Sequence, residues 1–131
     1  MDDDTLVQGF ESCTLPSTAF GHREHVRVAW LYLRSAARFE EGAARFCGNL
    51  RRFADAHGRN QLYNETITWA YLDLVNERLH TSEARDFDSF ASENADLFET
   101  NMGALLAFYD PQTLHSELAR RAFLLPRVTS L

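Results

Sequence analysis

The scarcity of β-branched residues constrains this chain more than any other feature. Against 17 Leu and 16 Ala stand 5 Val and a single Ile. Leu and Ala lose little conformational freedom in a helix, whereas pleated sheets recruit branched side chains, so an all-α fold is expected. Only 3 Pro and 6 Gly punctuate the 131 residues, which predicts few turns and long elements. That length suits one domain spanning residues 1–131, and an apolar fraction of 45% supplies its core.

Helical periodicity divides the chain into an antiparallel, up-and-down bundle of four long helices with short helices added. The spacing of Leu6, Phe10 and Cys13 predicts a short helix over about 5–13, with Asp4 as its cap. The first long helix, about 22–36, carries Val26, Ala29, Trp30 and Leu33 on one face. The second, about 40–57, turns Ala43, Phe46, Cys47, Leu50 and Phe53 inward, and Gly58 suits its left-handed ending. The third, about 63–80, has Ile67, Ala70, Tyr71, Leu74 and Val75 as its core stripe. A short helix anchored by Phe87 and Phe90 follows. Asn94 reads as the cap of a fourth long helix through Leu97, Phe98, Leu105, Leu106 and Phe108. Asp110-Pro111 pairs a cap with a proline at the first helical position, so a last short helix holding Leu114 begins there. The apolar tail from Phe123 to Leu131 is expected to lie, in its first part, on the bundle.

Charge excludes several functions. The net charge of −6 opposes binding to phosphate backbones, so no nucleic-acid partner is expected. All 13 basic residues are Arg, and without Lys there is no Schiff-base lysine and no phosphate-loop lysine. The acidic start is unlike a secretory signal, and no apolar stretch reaches the roughly 20 residues that span a bilayer. A cytoplasmic protein with no membrane partner is expected, with Cys13 and Cys47 reduced rather than paired.

One pole of the expected bundle gathers the chain's polar chemistry. His22 and His25, three apart, share a helical face with Cβ atoms about 5–6 Å from each other, close enough for one divalent metal ion. They sit in the first turn, where the helix dipole keeps imidazoles neutral. Antiparallel packing returns His57 to the same end, starts the third helix there with Tyr63, Asn64 and Glu65, and brings back Tyr109, Asp110 and His115. His80 falls at the opposite end. In the functional reading His22, His25 and Glu65 are metal ligands, His25 and Glu65 the candidate acid–base groups, and Tyr63, Asn64, His57 and Tyr109 hold a small-molecule ligand. Each residue also has a structural reading: a first-turn Glu and a last-turn His are ordinary partners of helix dipoles, and a core histidine can bond to Glu65 or a backbone carbonyl. The alternative is therefore a non-enzymatic helical interaction module, such as a homodimer, with a structural polar cluster.

The run Gly21-His22-Arg23-Glu24-His25, with Val28-Ala29-Trp30-Leu31-Tyr32-Leu33, then Ala56-His57-Gly58 and Tyr63-Asn64-Glu65-Thr66-Ile67-Thr68, resembles a family of small bacterial helical proteins of unassigned activity. The stretches Phe108-Tyr109-Asp110 and Leu125-Pro126 are also similar to that family, so the likeness runs over nearly the whole chain and implies no reaction. The family pattern has His where this chain has Asn64. If the family's site is a metal centre that includes that His, the resemblance implies that here an amide replaces an imidazole ligand. An amide oxygen can still hold a hard ion or position a water.

Overall fold

The computed structural model describes residues 1–126, and every regular element among them is helical. The α-helices are α1 (Asp3–Glu11), α2 (His22–Ser35), α3 (Phe39–Ala56), α4 (Glu65–Thr81), α5 (Phe87–Glu93), α6 (Pro111–Leu114) and α7 (Glu117–Arg121), joined by short 3₁₀ turns. No helix among the described residues is long and apolar enough to cross a membrane.

Three long helices, α2, α3 and α4, pack on one another and carry the core. Tyr32 and Leu33, late in α2, lie beside the start of α3, where a Cβ on Gly42 would come within 3.1 Å of the Tyr32 carbonyl oxygen. Phe20, just before α2, meets Phe53 at the far end of α3 with ring centroids 5.0 Å apart. The two helices therefore run antiparallel, as expected. Phe10 from α1 is fully buried and closes this end, stacking on Phe20 at 4.7 Å and on Phe46 at 5.8 Å. Trp30, Leu72, Val75, Phe90, Leu97, Leu105 and Leu114 continue the core.

Caps explain most boundaries. Asp2, rather than Asp4, caps α1 by accepting from Thr5 N at 2.8 Å. Asp86, Asp110 and Ser116 cap α5, α6 and α7 in the same manner. Gly58, just past α3, holds a φ of +67°, and nothing lies within 4 Å of a Cβ built on it. Gly58→Ala therefore isolates the backbone cost of the left-handed conformation, and urea unfolding should register a loss of about 1 kcal/mol.

The expected fourth long helix does not form. Residues 95–109 run as two short 3₁₀ turns, 95–98 and 105–107, interrupted where Met102 takes a φ of +61°. Asn94 does not cap a helix here. Its amide donates to the Phe90 carbonyl at 2.9 Å, and its oxygen accepts from Arg78 at 3.1 Å, so the side chain closes α5 instead. The same guanidinium grips Asp96 through two bonds of 2.9 and 2.8 Å, fixing the following turn to α4. The described part of the tail lies on the bundle: Thr66, fully buried in α4, donates to the Ala122 carbonyl at 2.8 Å and accepts from Leu124 N at 3.0 Å. The expected course of residues 127–131 lies outside the described residues.

Candidate functional site

The first turn of α2 brings His22 and His25 onto one wall of a cavity of about 50 Å³ between α2, α3 and α4. Phe46 and Leu50 of α3 and Thr68, Tyr71, Leu72 and Val75 of α4 complete it. A second, wider cleft of about 210 Å³ opens beside it at the same pole, between Phe20, Phe53, His57, Leu62, Tyr63, Asn64 and Ile67. Leu50 and Thr68 belong to the walls of both.

The two α2 histidines differ in their bonding. His22 donates through Nε2 to the Leu97 carbonyl at 2.7 Å, because a carbonyl can only accept, and its ring meets Tyr71 edge-on at 4.9 Å. Among the described residues the His25 ring makes no hydrogen bond, while its backbone N–H donates to the Gly21 carbonyl at 3.0 Å. His25 stands edge-on to Phe20 at 4.4 Å. Burial, and then the neighbouring His22, hold its imidazole down to about 4, so at neutral pH the ring is uncharged. The Tyr71 hydroxyl is buried without a partner among the described residues, and burial, followed by Glu99 and Asp96, pushes it up to about 12. His57 ends α3 with its ring 4.3 Å from that of Phe53, and its Nε2 is likewise buried and unpartnered among the described residues. Phe20 and Phe53, 5.0 Å apart, connect the rings of His25 and His57 in one aromatic row.

Glu65 does not join the histidines. Its carboxylate accepts from Arg51 at 2.8 Å and from the Tyr63 hydroxyl at 2.6 Å. A guanidinium offers full charge and several donors, whereas a neutral imidazole offers one N–H, so the arginine wins the carboxylate. Among the described residues no three His, Cys, Asp or Glu side chains gather in a group that could hold a metal ion. The expected ligand set of His22, His25 and Glu65 is therefore not assembled in this structure.

Asn64 lines the cleft, but both ends of its amide are committed. The oxygen caps α4 by accepting from Ile67 N at 2.9 Å, and the nitrogen donates to the Leu114 carbonyl at 2.8 Å. That cap is why Tyr63 and Asn64 precede α4 instead of beginning it. Tyr63 contributes its ring, with its hydroxyl turned to Glu65 and the Arg51 guanidinium 5.1 Å from the ring centre. Tyr109 is displaced from the pole altogether, because its placement there depended on the absent fourth helix. It lies against the middle of α4 with Ala70, Asp73 and Leu74 and donates to the Leu124 carbonyl at 2.7 Å. His115 is exposed beyond α6, and His80 is exposed in the last turn of α4.

Sequence reasoning missed Thr68 and Tyr71 as cavity residues, having read Tyr71 as core alone. Their spacing from Asn64, one and two helical turns on, was the available signal. Comparison of the chain with family models, with curated proteins and with solved structures gives no match.

Proposed function

We propose that the histidine pole binds a small, uncharged, mainly apolar molecule that carries one hydrogen-bonding group. The observation behind this reading is the Tyr71 hydroxyl, buried without a partner among the described residues, on the wall of the same apolar cavity as the neutral His25 imidazole. Buried polar groups are ordinarily satisfied, and leaving one unpaired costs about 1–3 kcal/mol. A ligand that supplies the missing partner recovers part of that cost on binding.

Neutrality of the inner cavity sets the class of group it takes, and Arg59, on the wall of the adjoining cleft, is the one charged residue among the described lining of the two. With His25 and Tyr71 both uncharged at neutral pH, neither carboxylates nor ammonium ions find a counter-charge among the cavity's own residues. The 50 Å³ cavity is small for a ring, so it suits the polar tip, and the adjoining 210 Å³ cleft with Phe20, Phe53 and Ile67 suits the apolar body. His57 stands ready to bond a second polar atom there. Acid–base catalysis would fall to His25, whose low proton affinity makes it a weak base, so binding is the primary assignment.

Screening neutral phenols, alcohols and ketones by ligand-observed NMR, with the imidazole proton resonances of the protein as reporters, tests this. Saturable binders should shift the His25 and His57 ring signals, and Leu50→Trp, which fills the shared wall, should abolish those shifts. Binders that leave both histidines unperturbed, or the lack of any saturable neutral binder, would overturn the reading.

A further inference from the structure

A second concavity lies away from the histidine pole, on the outer side of α4. It encloses about 300 Å³ between α4 and the segments that precede and follow α6 and α7. Leu74 and Leu105 form apolar parts of its walls, and Phe108, Tyr109, Phe123 and Leu125 complete them. Several of these side chains are unusually open for their type: Phe108 is 48% exposed, Phe123 39% and Leu125 73%. Scattered exposed leucines need no explanation, but two phenylalanines and a leucine around one groove form a surface of the kind that meets a ligand.

Two carboxylates share the groove with these apolar groups. Asp73 and Glu77 stand one turn apart on α4, so they face the same side as a like-charged pair, which is unfavourable in a helix. Neither forms an ion pair among the described residues. The next residue along, Arg78, directs its guanidinium to Asp96 and Asn94. Partial burial, and then the charge of Glu77, raise the Asp73 carboxyl above its ordinary value. Burial, and then the charge of Asp73, do the same for the Tyr109 phenol. The groove therefore pairs negative charge that is uncompensated among the described residues with aromatic faces.

We propose that this groove is a binding site for an organic ammonium ion that carries an apolar or aromatic group. The ammonium would sit between the Asp73 and Glu77 carboxylates, and the apolar body would lie against Phe108, Phe123 and Leu125. Carboxylates satisfy the charge and its N–H donors, and aromatic faces attract the same cation through their quadrupoles. The site is independent of the histidine pole: the two share no lining residue.

Calorimetric titration with 2-phenylethylammonium, 2-phenylethanol and 3-phenylpropanoate tests the charge rule with one apolar body. The ammonium ion should bind at least tenfold more tightly than the alcohol, and the carboxylate should not bind. The double variant Asp73→Asn, Glu77→Gln alters solvent-exposed carboxylates, so its helical circular dichroism should match the parent's. It should erase the preference for the cation, and Phe108→Ala should weaken the cation and the alcohol alike. Equal binding of cation and alcohol, a preference that survives the double variant, or no binding by any of the three would overturn the proposal. So would sedimentation showing a stable dimer that Phe108→Ala dissociates, because a second copy would then be the groove's occupant.

Discussion

Acidification from pH 6.5 to pH 4 should remove roughly 3 kcal/mol of stability through His25 alone. In the folded chain this imidazole titrates at about 4, against an ordinary value of 6.5, because burial, and then the charge of His22, disfavour its cation. The unfolded chain accepts the proton throughout that window and the folded chain does not. Unfolding is therefore favoured as pH falls through it, at about 1.4 kcal/mol per pH unit, while above pH 6.5 neither state is protonated and nothing is lost. Other groups titrate in the same range, so the measurement is a difference. Urea unfolding of the parent and of His25→Leu should give similar values at pH 7, because no hydrogen-bond partner is orphaned by the change. At pH 5 the variant should be the more stable by roughly 2 kcal/mol. A variant that loses as much as the parent on acidification would mean that the His25 cation is accommodated in the fold, and the neutral-pocket reading would go with it.

The same residue illustrates what a sequence can reveal about a site. Three-residue spacing placed His22 and His25 on one helical face, and antiparallel connectivity returned His57 to them; both inferences rest on backbone geometry that periodicity dictates. Which side chain bonds which is decided by competition, and competition is invisible to spacing. Glu65 stands one turn before Thr68, on the stripe that reaches the cavity, yet Arg51 captures its carboxylate. Nothing in the sequence announces that α3 aims Arg51 at the start of α4.

Asn94 records the same limit at the level of the fold. An asparagine before an apolar run carries the chemistry of an N-cap, and the helices beginning after Asp86 and Asp110 honour that signal. At Asn94 a residue distant in sequence, Arg78, occupies the oxygen that would have capped a helix. The chain then turns through Met102 and Gly103, and Tyr109 ends against the middle of α4 rather than at the histidine pole. With that oxygen taken, Tyr109 lies in the groove beside α4 instead of being carried to the pole by a fourth long helix.

Thr66 carries the second large effect. Its hydroxyl is the link between α4 and the C-terminal segment, donating to the Ala122 carbonyl at 2.8 Å and accepting from Leu124 N at 3.0 Å. Thr66→Val keeps the shape of the side chain but removes both bonds, leaving a fully buried site without its polar partner. Two unpaired backbone groups at this junction should cost about 2–3 kcal/mol, because water reaches the exposed Ala122 side more readily than the Leu124 side. Thr66→Ser retains the hydroxyl and sheds only a methyl group, so it should cost about 1 kcal/mol and separate the hydrogen bonds from simple packing. The consequence extends beyond stability. Residues 122–124 place Phe123 and Leu125 on the wall of the groove that Phe108 and Tyr109 also line, with Tyr109 itself bonded to the Leu124 carbonyl at 2.7 Å. Amide hydrogen exchange should accordingly quicken at Leu124 and its neighbours in Thr66→Val while α2 and α3 keep their protection. Exchange that rises uniformly across all helices would show that Thr66 stabilises the core as a whole rather than anchoring this segment.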